Sequence, residues 1–346
     1  METLEKPKAE PSLSPEHLLQ IGMGFWASKV LLAAVKLDLF SVLGPVSMKA
    51  EKIQDRLGLH PRGTRDFLDT LVALNILERK DGAYANTRES AFFLDGNSPA
   101  YLGDMLLNAN DRLWEFWGRF EEALRTGLPQ NETREGGGWI LDVIYAQPTK
   151  RDVFLKAMIG LSAGSSMAVA RSFDFRAVKR FCDLGGGPGT LCATVQRAHP
   201  HVECVNLDLP PVEPVFREYI ARQGLAQKVR FHAGDCLKDA LPPADVYAMG
   251  HLLHGISPDN RVRALSRAFG ALPSGGHLLV IEALIDDERR TSAFGLLMSL
   301  DMMIETPEGR NFSAAELRTW MGDVGFEHIR HVSLGGPYSM MIGRKS

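Results

Sequence analysis

A chain of 346 residues is long for one compact domain, and with 45% hydrophobic residues it can bury a substantial core, so two domains are expected. Its 39 basic and 42 acidic residues are interspersed and leave a formal charge of -3, which gives no electrostatic footprint for nucleic acid or an anionic membrane and points to a small-molecule partner. Apolar runs such as LLVIEALI fall short of the ~20 residues of a membrane span, and METLEKPKAEPSLSPEH has no apolar signal-peptide core, so a cytoplasmic location is expected.

Residues 1 to about 10 are rich in Lys, Glu and Pro and read as disordered. From Pro15 a helical pattern runs through HLLQIGMGFWASKVLLAAVKLDLF. It is apolar on most faces, which requires burial on several sides or against a second subunit. SMKAEKIQDRLGL and HPRGTRDFLDTLVALNIL then predict two amphipathic helices separated by Gly58 and Pro61, and LERKDGAYANT predicts a hairpin turning at Asp81-Gly82. Helix, turn, helix and hairpin describe a winged helix. A DNA reader would concentrate cations on its second helix, yet Arg62 and Arg65 there are offset by Asp66 and Asp69, so a dimerisation and substrate-capping module is the favoured reading. The region up to residue 175 reads as helical; its Trp114, Trp117, Phe154 and Met158 can line a pocket for a flat ligand or simply pack as core.

The second half changes rhythm. RFCDL, HVECVNLD, VRFHAG, ADVYAMG and GHLLVIEAL alternate with helical stretches, and two further strand-like runs, HIRHVSL and YSMMIGRK, close the chain. A doubly wound α/β sheet follows, with its ligand outside the carboxyl ends of the strands. The expected domains are 1–105 for dimerisation, 106–175 as a helical linker and cap, and 176–346 for catalysis. Cys182, Cys192, Cys204 and Cys236 lack the paired spacing of a zinc or redox motif and read as reduced structural thiols.

Gly185, Gly187 and Gly189 follow the first strand directly, giving a backbone that turns sharply and approaches a ligand closely. A dinucleotide site would place another glycine where Thr190 stands. Asp208 ends the second strand, where a carboxylate can accept from both ribose hydroxyls, and Asp235 ends the third, where it can accept from an adenine amino group. Each Asp can alternatively cap a helix or turn. Together they favour an adenosine ligand, and an acidic site suits the sulfonium of S-adenosylmethionine better than a pyrophosphate.

In chain order DLGGGPG, NLD, HAGDC, GHLLHGIS, ALPSGGHLLVIEALI, ETPEGRNFS and MGDVGFEHI resemble the class I S-adenosylmethionine-dependent small-molecule O-methyltransferases of the caffeate and acetylserotonin type, over almost the whole chain. The resemblance implies a Rossmann-like methyltransferase sheet with an N-terminal winged-helix dimerisation domain and a homodimer whose first helices interlock. It also implies a cofactor pocket built from Asp183, Gly185, Gly187, Gly189, Asp208, Leu209, Asp235 and Cys236, with Met249 and Gly250 near the methionine tail.

A phenol is mostly protonated at neutral pH, so transfer to a hydroxyl calls for a base. His254 follows the fourth strand and aligns with the family's catalytic histidine; Glu282, ending the fifth, can hold its other ring nitrogen. His251, three residues earlier, reads as structural. The family's Asp-Trp after the histidine is Gly255-Ile256 here, and a second family acid falls at Asn311, so no metal site is expected and the base is less supported. Met298, Met302 and Met303 in LLMSLDMMIE can form an adaptable acceptor wall or plain packing. O-methylation of an aromatic or polyketide-like metabolite leads; C- or N-methylation or a non-methylating reaction on the same fold follows, and a winged-helix ligand sensor is the remote alternative.

Overall fold

The computed structural model describes residues 13–98, 100–136 and 138–346. The predicted disordered leader lies outside the described residues. Two compact units divide at Pro99 and Ala100.

In the first unit the helical run from Pro15 breaks at Met23 into α1 (Glu16–Gly22) and α2 (Gly24–Lys36), followed by α3 (Leu39–Leu43). The core of the unit holds Leu39, Phe40 and Leu43, while Leu18, Ile21, Phe25 and Trp26 stay exposed. After β1 (Met48–Lys49), α4 (Ala50–Leu57) ends on Gly58 at φ 63°, and Pro61 opens α5 (Pro61–Ala73) behind the His60 cap, which accepts from the Arg62 N–H. β2 (Leu77–Lys80) and β3 (Ala83–Asn86) form the hairpin, with both Asp81 and Gly82 in the left-handed region that a tight two-residue turn demands. The sheet runs β1-β3-β2, all antiparallel, and α6 (Arg88–Phe93) closes the unit. Asp69 on α5 accepts from the Tyr84 hydroxyl at 2.6 Å and pairs with Arg79 and Arg65, so its helix carries compensated charge.

The second unit opens with helices: α7 (Gly103–Asn108), a π-helical turn (Ala109–Leu113), α8 (Trp114–Trp117), α9 (Phe120–Thr126), α10 (Ile140–Tyr145) and the long α11 (Pro148–Ser172). Glu16–Lys36 and Pro148–Ser172 are each long and apolar enough to cross a membrane by length and composition, which corrects the expectation drawn from short runs. Scattered Lys, Ser and Gly interrupt the runs without lowering the mean hydropathy below a span's. In the structure α11 packs on α7 and on the helix Thr190–Ala198.

The α/β part follows as β4 (Arg180–Leu184), α12 (Thr190–Ala198), β5 (Glu203–Asp208), α13 (Glu213–Arg222), β6 (Val229–Ala233), β7 (Val246–Gly250), α14 (Pro258–Ala271), β8 (His277–Glu282), α15 (Ala293–Glu305), α16 (Ala314–Val324), β9 (Glu327–Ser333) and β10 (Ser339–Arg344). The seven strands order as β6-β5-β4-β7-β8-β10-β9, parallel from β6 to β8, with β10 antiparallel to both neighbours. The predicted α/β class is borne out. Period-two alternation divides the core between the faces. Phe181, Ala248 and Ile281 join α11, α12 and α13 on one side; Cys182, Met249 and Val280 join α14 and α16 on the other. Strand order reverses between β4 and β7, so their carboxyl ends open the crevice where the site lies.

Candidate active site

A cavity of about 740 Å³ opens at those carboxyl ends, a size suited to a bound small molecule or two. Its first end is the loop after β4. Gly186 meets β5 so closely that a Cβ there would lie 2.1 Å from Asn206 Oδ1 and 2.7 Å from Asp183 Oδ2. Asn206, fully buried, donates through Nδ2 to the Gly187 carbonyl at 3.0 Å, and Asp208 Oδ2 accepts from the Gly187 N–H at 2.7 Å. β5 therefore fixes the loop from below. Asp208 Oδ1 also accepts from the Leu209 N–H at 2.7 Å, leaving each carboxylate oxygen further lone pairs for a ligand.

Burial pushes the Asp208 carboxyl up to about 6, with its two N–H donors opposing and the Asp235 charge adding. Asp183, pushed up to about 8 by burial and by the Asp208 charge, has among the described residues no hydrogen-bond partner for its Oδ1. An orphaned buried carboxyl is costly, and a cation arriving in the cavity would relieve it. Asp235 is tied down on the rim, accepting from the Leu237 N–H at 2.8 Å and pairing with Lys238 at 3.0 Å.

The other end is built on the short 3₁₀ turn Leu253–Gly255 after β7. Glu282, at the end of β8 and fully buried, accepts from the Leu253 N–H at 2.9 Å, and its Oε2 lies 2.6 Å from His254 Nδ1. A carboxylate can only accept, so Nδ1 carries the proton and Nε2 keeps a free lone pair when the ring is neutral. Burial resists a charge on the imidazole, but the Glu282 charge and hydrogen bond outweigh it and raise the His254 pKa above the ordinary value. Buried Arg261 on α14 donates to the carbonyls of Leu253 at 2.8 Å, Ile256 at 3.2 Å and Arg310 at 3.0 Å, so the turn is held from behind. Opposite, Arg112 forks onto Glu132 and Glu305 at 2.6–2.9 Å, and Trp117, Met158, Met298 and Met302 give an apolar wall.

A dimerisation domain of O-methyltransferases matches residues 19–96, and an O-methyltransferase domain matches residues 117–327. The chain belongs to the O-methyltransferase family. The resemblance read from the motifs is thereby borne out. The methyltransferase is 40% identical to the tetracenomycin polyketide synthesis 8-O-methyl transferase TcmO of Streptomyces glaucescens, over 96% of this chain and 97% of that one. It is 32% identical to acetylserotonin O-methyltransferase of Bos taurus, covering 95% of this chain and 97% of the relative. Its structure superposes on human N-acetylserotonin methyltransferase in complex with S-adenosylmethionine with a TM-score of 0.89 at 27% identity, covering 98% and 99% of the two chains.

Within the methyltransferase the cavity is lined by Asp183, Gly185, Gly187, Asp208, Leu209, Asp235, Cys236 and Gly250, and also by His254, Phe154, Met158, Met298 and Met302, Phe154 packing beside Val212 and Val215 just after Asp208. Glu282 stands behind His254. Five expected residues lie off the lining. Met249 alternates into the core under α14 because its neighbour Gly250 takes the strand end. Gly189 caps α12 at φ 89°, and a Cβ there would strike Phe216 at 2.7 Å, so its role is packing. Trp114 is one helical step from the face that Leu113 and Trp117 present. Asn311 is buried and donates to the Ala283 carbonyl at 2.8 Å. Met303 packs with Phe116 and Ile304.

His251, read as structural, does line the cavity: it adopts φ 54°, lies 3.3 Å from Ser165 Oγ and meets Tyr338 edge-on at 4.7 Å. Burial pushes its pKa down to about 4, which keeps it neutral. Asn206, Arg112, Arg261 and Asp301 escaped sequence reading. Only Asp301 carried a signal, a lone acid inside the apolar LLMSLDMMIE.

Proposed function

We propose that this enzyme transfers the methyl group of S-adenosylmethionine to a hydroxyl of a small aromatic or polyketide-like acceptor, with His254 as general base and Glu282 as its orienting partner. The observation that carries the reading is the 2.6 Å contact of Glu282 with His254 Nδ1, which leaves Nε2 free in the wall of a cavity whose far end is a glycine loop and three acids. The acceptor class is supported by TcmO and acetylserotonin O-methyltransferase, whose names specify O-methylation.

The cofactor, when bound, supplies an electrophilic methyl on a cationic sulfur. The chain's own residues do the rest. Asp208 fixes the loop and offers lone pairs, Asp183 answers positive charge, and the helices 106–175 close over the acceptor. Bringing an acceptor hydroxyl to Nε2 lets its proton leave as attack proceeds. Residues 1–105 form the dimerisation module, a winged helix used to pair two subunits, and 176–346 the catalytic domain. Four buried, unpaired thiols agree with work in the reducing cytoplasm.

Incubating the purified protein with S-adenosylmethionine and a panel of naphthols and hydroxyanthraquinones, with mass spectrometry of the products, tests this. A mass gain of one CH2 on oxygen with S-adenosylhomocysteine released is expected. A His254→Ala enzyme that turned over undiminished at every pH would end the base assignment.

A further inference from the structure

Asp301 is an acid that the reaction as described leaves unused. It lies on α15, lines the cavity and is coupled to its surroundings by one hydrogen bond, from Trp117 Nε1 to Oδ1 at 2.8 Å. Among the described residues no hydrogen bond to Oδ2 is found. Burial and the Glu305 charge push its carboxyl up to about 6, with the Trp117 bond and the His254 and Arg112 charges opposing. Arg112, in the same wall, commits four of its five N–H donors to Glu132 and Glu305. A carboxylate kept in an apolar methionine face needs a cation, at least for part of a cycle.

The candidate cation is transient. α15 packs against the 3₁₀ turn that carries His254. Neither Gly255 nor Asn311 brings a second carboxylate to the imidazole, since one has no side chain and the other is spent on the Ala283 carbonyl. We propose that Asp301 is a positioning residue for the base: anchored by the Trp117 indole on the helix packed against the His254 turn, its carboxylate stabilises the imidazolium formed during methyl transfer. In that step the acceptor O–H bond breaks and its proton goes to Nε2. The oxygen pair forms the bond to the methyl group, and the pair of the broken S–CH3 bond stays on the cofactor's sulfur. The inference rests on His254 acting as base.

Around the ring, Glu282 on β8 and Asp301 on α15 favour the protonated form, Arg261 on α14 opposes it, and His251 and Tyr338 stay neutral. The test needs no acceptor. Full-length protein with labelled histidine imidazoles is titrated by NMR, the His254 resonance being identified by its loss in His254→Gln. Asp301→Asn keeps an oxygen for Trp117 and should lower the His254 midpoint by roughly half a unit to one unit. Asp301→Glu, which restores the charge, should recover most of that shift. An unchanged or raised midpoint in Asp301→Asn, or an equal fall in both variants, would overturn the proposal. Undiminished turnover of His254→Ala would instead remove the base reading while leaving the measured coupling in place.

Discussion

With Nδ1 of His254 committed to Glu282, the sign of the pH response follows. The ring's pKa is raised, so below it Nε2 holds a proton and cannot accept another; turnover should climb with pH through an apparent pKa above the ordinary histidine value near ~6.5. Glu282→Gln removes the charge that sustains the shift, and the rising limb of the kcat profile should then move to lower pH. His254→Ala should cost about 10²- to 10⁴-fold in kcat with little change in cofactor affinity by calorimetry. The pair also feeds stability. His254's raised pKa contributes below the unfolded histidine pKa and is lost as pH rises through the folded one, while Glu282's depressed pKa contributes above the unfolded carboxyl value and is lost on acidification. Asp208, Asp235, His254 and Glu282 were legible because strand ends in a parallel sheet converge on one edge. Met249 was not, because one step along a strand reverses the face, and Arg112 was not, because its partners Glu132 and Glu305 come from distant segments.

At the scale of elements, α1 and α2 present Leu18, Ile21, Phe25 and Trp26 to solvent within a region that matches a dimerisation domain. Trp26→Glu together with Phe25→Glu should convert the dimer to a monomer in light scattering, with the α/β unit still folded by circular dichroism; a retained dimer would move the interface elsewhere. The loop after β4 carries a second expectation. Gly189→Ala forces a Cβ onto Phe216 at a left-handed φ, a strain of roughly 1–3 kcal/mol, visible as a lower denaturant midpoint. The Asp81-Gly82 hairpin and the α4–α5 break were readable because single residues decide them. The α7–α11 region was less so: its π-helical turn and its cavity-facing side chains depend on what packs above the sheet, which periodicity does not encode.

For the molecule as a whole, protons and cofactor compete for the same acids. Asp183 and Asp208 are pushed up to about 8 and about 6, so between about pH 4 and 8 the folded ligand-free protein binds protons that the unfolded chain has released. The contribution of these two carboxyls to stability should therefore fall as pH rises through that window. A cationic cofactor reverses this by favouring ionised carboxylates, and calorimetric titration with S-adenosylmethionine at pH 7 should show proton release, read as a heat that varies with the buffer's ionisation enthalpy. Asp183→Asn should abolish most of that variation; heats independent of buffer in the unaltered protein would sink the idea. The thiols behave in the same sense, since burial pushes Cys204 and Cys236 up to about 12 and holds Cys182 and Cys192 well above the ordinary thiol range. Native cysteines held that far from the thiolate form are poor targets for maleimides at neutral pH. One cysteine introduced on an exposed helix can thus carry a spin label or fluorophore without stripping out the other four, and the unaltered sequence becomes a ready host for distance measurements between the two active sites of a dimer.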